Sequence, residues 1–340
     1  MTITTVSAET FEGVVGKALR RHGASQSAAD EVAKALRRAE QLGNSHCGLR
    51  HLELDCLQLI SGRVDGDAVP IVHRVRPGLV QVDAKNGFAQ PAFTLGLPAA
   101  VECVDTLGVA VLALSRAYTC GALGYFPERI AQRGYIGIAF TNASASVAAP
   151  GGSQPLLGTN PVAMSVPDGQ GGIAFQFDQC TSSTNLRHVR EAARNSEPIP
   201  EGWAVSPAGK PTTDASEALA GALLPAGGGR GFGIGLMAEV LGSFFTNSAM
   251  SLDTKSLQAT SGSPHGLGVF CLLLDPTAIA GTEFWHKLGK LKRAVDSQPG
   301  TRLPGTKRKL PHNVPVDSAL WEKANCLAEA NVRGAAERDS

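Results

Sequence analysis

The chain changes character at Pro70, and that change constrains its fold more than any other feature. Before it, Phe11, Val14, Val15 and Leu19 recur at helical spacing, and Gly23 interrupts them. Val32, Leu36 and Ala39 form a second apolar face that Gly43 ends. Ser27 with Asp30 reads as a capping-box-like start for that helix, with Asp where Glu or Gln is usual. Leu52, Cys56, Leu57 and Ile60 mark a third helix from about residue 48. After Pro70 the apolar residues gather in short β-type runs at 71–75, 79–82, 109–114, 136–140, 162–166, 173–177 and 268–274. Helices are predicted between them at 95–106, 121–133, 233–245 and 318–330. Pro127 forces the second of these to start late or kink. Residues 205–215 and 247–264, rich in Ser, Thr, Gly and Pro, read as loops. Strands mixed with helices predict an α/β (mixed α+β) protein.

At 340 residues the chain is long for one core, so two closely packed domains are expected. Lys plus Arg number 31 against 30 Asp plus Glu, so no field is available to draw nucleic acid or an anionic membrane. A small anionic ligand would need a local basic site. The cysteines at 47, 56, 103, 120, 180, 271 and 326 are scattered, odd in number and without a CxxC pair. They read as reduced thiols in the cytoplasm. The start, MTITTVSAETFEGVV, shows no basic segment followed by an apolar run, and no apolar stretch approaches a span of about 20 residues. Neither a signal peptide nor a membrane partner is expected.

Ser45-His46-Cys47-Gly48-Leu49-Arg50 lies between two predicted helices. His46 near a helix N-terminus would have its imidazolium disfavoured by the helix dipole, which suits proton donation and return. Ser45 could orient the ring, and Arg50 could hold a carboxylate in a bidentate pair. The same residues also read as a surface His and Arg at a helix start. Gly158-Thr159-Asn160-Pro161 is a turn before a strand. Asp178-Gln179-Cys180-Thr181-Ser182-Ser183 ends a strand with hydrogen-bonding groups that could bind a ribose or amide, or cap the next segment. In 225–231, glycines before a helix could admit a phosphate, with the Arg230 charge beside it. Residues 302–308 form a second basic turn, or a solvated tail. No G-x-G-x-x-G occurs, so the usual dinucleotide fingerprint is absent. No metal is expected: His46 and His51 are five apart, and no Cys or carboxylate cluster has a zinc spacing. Cys47 and Cys120 are thiols without an identifiable partner base.

Taken in order, these segments resemble the malate/L-lactate dehydrogenase family of NAD(P)-dependent oxidoreductases, whose fold is not the Rossmann fold. The resemblance runs from the helical start to Leu303-Pro304-Gly305. It includes the His46 motif, Asn86-Gly87-Phe88, Leu157-Gly158-Thr159-Asn160-Pro161, Pro200-Glu201-Gly202-Trp203-Ala204, Pro211-Thr212-Thr213-Asp214, the 224–231 loop and Asp275-Pro276. It implies a homodimer with its active site in a cleft between domains. It implies His46 as proton donor with Ser45 as relay, and Arg50 and Thr159 on the substrate carboxylate. The cofactor would contact Thr119, Cys120, Gly121, Ala122 and Leu123, then Asp178, Gln179 and Cys180, then Gly229 and Arg230. Its last contacts would be Arg302, Leu303, Pro304, Gly305, Thr306, Lys307 and Arg308. A substrate and dimerisation unit is expected at 1–118 with 297–340, and an NAD(P)-binding unit at 119–296.

Three departures stand out. Thr119-Cys120 replaces a His followed by an aromatic residue, and Arg230 replaces a Lys. His188 stands where relatives have Lys, or Asp in cyclic-imine reductases, and it joins the catalytic candidates. The expected activity is hydride transfer to a 2-oxo acid, or in reverse oxidation of a 2-hydroxy acid. A cyclic 2-imino acid (ketimine) is the close variant. The alternative is a cofactor-binding homologue with lost or repurposed redox activity. Thr306-Lys307-Arg308 carries no acid to repel a 2′-phosphate, which favours NADPH over NADH.

Overall fold

The computed structural model describes residues 2–306 and 313–330. A short strand, β1 (Ile3–Val6), precedes α1 (Ala8–Arg21) and α2 (Gln26–Gln41). The cap of α2 is Ser25, which accepts the Ala28 N–H, and not the Ser27–Asp30 pair. Ser25 has the extended backbone that a cap needs, whereas Asp30 lies inside the helix and accepts the Gln26 side-chain amide at 2.7 Å. A 3-10 turn, Ser45–Cys47, leads through Gly48 into α3 (Leu49–Ile60).

The expected strands follow as β2 (Ile71–Arg76), β3 (Leu79–Asp83) and, after α4 (Ala89–Leu107), β4 (Val109–Ala117). Helix α4 begins six residues before the predicted start. Pro91 sits in its first turn, where a missing N–H breaks no intrahelical bond. Helix α5 (Tyr125–Ala131) starts late, as Pro127 requires. Next come β5 (Ile136–Thr141), β6 (Val147–Ala148), β7 (Pro155–Leu157), β8 (Val162–Pro167) and β9 (Ile173–Gln179). Helix α6 (Leu186–Asn195) was not expected. The stretch 205–215 is not all loop: it touches β10 (Ala204–Val205) and holds β11 (Pro211–Thr212), before α7 (Ala215–Ala220) and β12 (Ala222–Leu223). Helix α8 (Gly229–Glu239) runs into one π-helical turn, Val240–Phe244. The chain ends with β13 (Leu267–Leu274), α9 (Glu283–Asp296), β14 (Val314–Asp317) and α10 (Ser318–Glu329).

A seven-stranded sheet ordered β2-β3-β4-β13-β5-β8-β9 forms the centre. Only β3–β4 is parallel in it, so it is not a doubly wound nucleotide-binding sheet. Strand β13 is its spine, and α4 and α5 cover one face through Phe93, Leu97, Phe126 and Ile130. Strands from both sides of residue 118, the expected domain boundary, share this sheet. Helices α1, α2, α3 and α10 form a second core around Phe11, Leu19, Leu36 and Leu52, closed by Val314 and Val316 of β14. A third core joins α6 and α7 to a five-stranded sheet ordered β11-β10-β12-β6-β7.

The 247–264 loop is held by a buried polar clasp. Arg63 is 1% exposed and donates to the carbonyls of Ser256 (3.1 Å), Ala259 (2.7 Å) and Ser263 (3.2 Å). Gln58 donates to the carbonyls of Leu257 and Ala259, each at 2.9 Å. His265 Nδ1 receives Arg63 Nη2 at 3.3 Å, so its proton sits on Nε2, 3.2 Å from the Gln58 side-chain oxygen. Burial, then the Arg63 charge, lowers the His265 pKa to about 4. The folded value lies below the unfolded one near 6.5. His265 therefore contributes stability that is complete above about 6.5 and is lost as pH falls toward 4. The slope is at most about 1.4 kcal/mol per pH unit. Urea midpoints of the native protein should fall more between pH 7.5 and 4.5 than those of His265→Gln. Parallel falls would remove His265 from the account.

Candidate active site

The His46 turn is built on Glu40, a residue the sequence did not single out. Glu40, in the last turn of α2, is 5% exposed. Its carboxylate accepts the Leu49 N–H at 2.7 Å and the Ser45 hydroxyl. Burial raises its pKa, against these hydrogen bonds. Glu40 therefore caps α3, which Gly48 cannot do for lack of a side chain. The first N–H of α3, on Leu49, and the Ser45 hydroxyl thus share the Glu40 carboxylate. The glycine of the motif is explained by space: a Cβ on Gly48 would lie 2.5 Å from Glu40 Oε1. Gly48→Ala is expected to destabilise the protein by about 1–3 kcal/mol through overpacking and to lower activity with it. Urea denaturation beside a turnover assay checks this; an unchanged midpoint would show that Glu40 yields freely.

His46 Nδ1 is buried and has no hydrogen-bond partner among the described residues. The His46 carbonyl accepts Arg187 Nη2 at 3.0 Å. The imidazole meets His188 of α6 edge-on, with ring centroids 6.1 Å apart, and His188 in turn lies 6.2 Å from Trp203. His188 Nδ1 is 3.2 Å from the Thr184 hydroxyl. Arg50, in the first turn of α3, is exposed and makes no ion pair among the described residues. The Gly158–Pro161 segment is more than a turn. Asn160, fully buried with φ 33°, donates to the Gly235 carbonyl (3.1 Å) and Glu239 (2.8 Å) and accepts the Ala143 N–H (3.2 Å). This clamp fixes the neighbouring Thr159, whose carbonyl receives the Thr181 N–H at 2.9 Å.

Two adjoining cavities meet at His46, Asn44, Ala122, Asp178 and Asn185. The larger, 1410 Å³, is lined by Arg50, Thr159, Thr119 to Leu123 and Asp178 to Cys180. The smaller, 480 Å³, is lined by His188, Arg302 and Gly305 among others. Asp178 accepts the N–H groups of Gly124 (2.8 Å) and Leu123, while its seat in the cleft raises its pKa. The Gln176 N–H donates to the Pro304 carbonyl at 3.1 Å, docking the 303–305 turn on β9. Gly305 has φ +78°, and a Cβ there would lie 2.7 Å from Gln176 Cγ. Leu303, Pro304 and Thr306 flank the smaller cavity without lining it. Lys307 and Arg308 fall outside the described residues.

Two expected cofactor residues are not brought to this cleft. Gly229 and Arg230 are exposed at the start of α8 and line neither cavity. Their loop packs beside the cleft instead: the Ala226 N–H donates to the Thr181 carbonyl at 2.9 Å. Burial, then Asp178, pushes the Cys47 thiol up to about 12 and the Cys120 thiol well above its usual value, which holds both in the thiol form near neutral pH. The cleft also holds residues that the sequence did not flag. Asn142, 2% exposed, is among its lining and has a buried side-chain oxygen with no hydrogen-bond partner among the described residues, and α6 adds Arg187, Arg190 and Arg194.

The family model for malate/L-lactate dehydrogenase matches residues 6–324. A (2R)-3-sulfolactate dehydrogenase (NADP(+)) of Chromohalobacter salexigens is 34% identical over 303 residues, covering 89% of this chain and 90% of that protein. A Δ1-pyrroline-2-carboxylate/Δ1-piperideine-2-carboxylate reductase of Pseudomonas aeruginosa is 35% identical over 294 residues, with 85% and 87% covered. Among solved structures, a Δ1-piperideine-2-carboxylate reductase from Pseudomonas syringae superposes with a TM-score of 0.88 at 31% identity, covering 95% of this chain and 99% of its own. A sulfolactate dehydrogenase from Methanocaldococcus jannaschii gives 0.84 at 26%, with 95% and 96% covered. With a match over nearly its whole length and the His46 motif set in the cleft, the chain belongs to the malate/L-lactate dehydrogenase family.

Proposed function

We propose that this chain is an NADPH-dependent oxidoreductase that reduces the carbon beside a carboxylate in a 2-oxo acid, with a cyclic 2-imino acid as the close variant. In reverse it oxidises a 2-hydroxy acid. The observation that carries this is His46 at the junction of the two cavities, its Nδ1 bonded to no other group among the described residues. The cleft suits a dinucleotide: Asp178 can accept from a ribose hydroxyl or carboxamide, Arg302 can pair with a phosphate, and Gly305 lets the backbone come close. NADPH supplies the hydride when bound. His46 gives a proton to the substrate oxygen or nitrogen, and Arg50 with Thr159 holds the carboxylate. Ser45, through Glu40, keeps the turn that carries His46 in place. His188 packs against the His46 ring and limits its rotation. The NADP(+) in the name of the Chromohalobacter relative supports the cofactor, and NADH is the alternative.

The absence of an acid at position 188 favours 2-oxo acids over cyclic imines. Purified protein should oxidise NADPH with three- to five-carbon 2-oxo acids, with Δ1-piperideine-2-carboxylate, or with both, and relative kcat/KM decides between them. Tight NADPH binding without turnover on either type would instead make it a cofactor-binding homologue. The exposed apolar stripe of Ile234, Leu236, Met237, Val240, Phe244 and Phe245 supports a homodimer, which sedimentation equilibrium tests. No helix among the described residues is long and apolar enough to cross a membrane. Seven free cysteines support a cytoplasmic location.

A further inference from the structure

Glu239, the last residue of α8, is 3% exposed and forms no ion pair among the described residues. Asp55 and Glu128, as deeply buried, meet His51 and Arg38. A buried carboxylate without a cation is costly unless hydrogen bonds satisfy it. Three donors converge on Glu239. Its Oε1 accepts the Ser251 N–H at 2.7 Å. Its Oε2 accepts the Ser251 hydroxyl at 2.5 Å and the Asn160 side-chain amide at 2.8 Å. Both oxygens thus face donors only, which suits a carboxylate and not a carboxamide. Whichever way a Gln side chain were turned here, its NH₂ group would meet another donor.

The donors belong to two segments that line the larger cavity, one through Thr159 and Pro161, the other through Leu252 and Thr254. Thr159 stands between two residues tied to this knot. On one side the Gly158 N–H donates to the Ser251 hydroxyl at 3.1 Å. On the other is Asn160 itself, with φ 33°. Such a φ is uncommon for a residue with a side chain, and the Asn160 amide, bonded at both its oxygen and its nitrogen, holds the backbone there. The Thr159 hydroxyl has no partner among the described residues. Glu239 lines neither cavity, so its effect on a substrate passes through these neighbours. We propose that Glu239 is a positioning residue: through Ser251 and Asn160 its carboxylate holds the Thr159 hydroxyl in place for the substrate carboxylate. This rests on the reductase reading above, in which Thr159 with Arg50 binds that group. A hydroxyl held before the substrate arrives need not be ordered on binding, so loosening it weakens binding of the acid.

The test uses the 2-oxo or cyclic imino acid that the native protein reduces fastest, with NADPH as reductant. Glu239→Gln should raise the KM for the acid at least tenfold and leave kcat and the KM for NADPH within threefold, the pattern of lost uniform binding. Thr159→Val should do the same. In Glu239→Gln/Thr159→Val the acid KM should stay within threefold of the Thr159→Val value, because residues that act through one hydroxyl are not additive. Multiplied effects in the double variant overturn the proposal. So do unchanged KM values with a lower unfolding midpoint, which mark a structural residue, and a parallel rise in the KM for NADPH, which marks general loosening. If Glu239→Gln fails to fold, Ser251→Ala takes its place: it keeps the main-chain N–H on the carboxylate and removes the hydroxyl that joins it to Gly158. It should raise the acid KM at least threefold, and an unchanged KM overturns the proposal. If no acid is reduced at all, the reductase reading fails separately. Calorimetric titration of the NADPH-loaded protein with oxamate, an unreactive analogue of a 2-oxo acid, then decides. Binding that Glu239→Gln, or Ser251→Ala in its place, weakens supports the positioning role, and equal binding or none overturns it.

Discussion

His46→Ala is expected to lower kcat by about 10²–10⁴-fold while leaving NADPH affinity within a few-fold of native. Among the described residues no group depends on the imidazole for a hydrogen bond through Nδ1, so the fold should tolerate its removal. The turn that carries it is fixed by main-chain and Glu40 contacts: the His46 carbonyl stays with Arg187, and Glu40 stays with Leu49 and Ser45. The loss should therefore appear in chemistry and not in folding. Single-turnover absorbance at saturating substrate, beside a fluorescence titration of NADPH, separates the two. Turnover retained at more than a tenth of native would mean that another group gives the proton. His188, with its ring centroid 6.1 Å away, would be the first to test in its place.

Arg63→Met is expected to destabilise the protein by about 2–5 kcal/mol. Methionine fills much of the volume but donates nothing. The Ser256 and Ser263 carbonyls lose their Arg63 donor, and Ala259 keeps only Gln58. A fully buried acceptor left alone costs about 1–3 kcal/mol, and these part-buried carbonyls lie toward the lower end. The change should also be felt in the site, because Leu252, Thr254, Ser256, Leu257 and Gln258 of this loop line the larger cavity. Urea unfolding measures the first effect, and faster amide hydrogen exchange over 256–263 measures the second. A loss under about 1 kcal/mol would show that water satisfies these carbonyls, and the clasp would then be incidental.

The seven main strands were legible from their short apolar runs, which coincide with burial at β13 but run along largely exposed or half-buried edges at β2 and β9. Boundaries were less so. Helix α4 begins ahead of its apolar pattern because a first-turn proline breaks nothing. Helix α6 was invisible for the opposite reason. Val189 is its one buried residue, and its Arg- and His-rich faces turn to the cleft, so no core periodicity marks it. The candidate site shows the same split. His46, Arg50 and Asp178 were readable as types suited to the chemistry, Thr159 entered only through the family resemblance, and all four line the larger cavity. Glu40 was hidden in a helix whose apolar face had been assigned to Val32, Leu36 and Ala39. Only the fold of the next turn shows that its carboxylate caps α3. The glycine loop was chosen for its composition, but where its charge lies depends on how α8 is set, and Arg230 is exposed and does not line the described cleft.

Strand β1 pairs with β14 in antiparallel register, Ile3 opposite Asp317 and Val6 opposite Val314. The histidine-bearing helical layer is thus closed by residues more than 300 positions apart. A ribosome adding roughly 5–20 residues per second needs on the order of 15–60 s between the two strands. In that interval the central sheet can form, but the layer over it lacks Val314, Val316 and α10. The cleft is consequently completed last during synthesis. A nascent chain that stalls before residue 314 would carry every residue of the Ser45–Arg50 motif, yet lack the strand and helix that complete the layer around it.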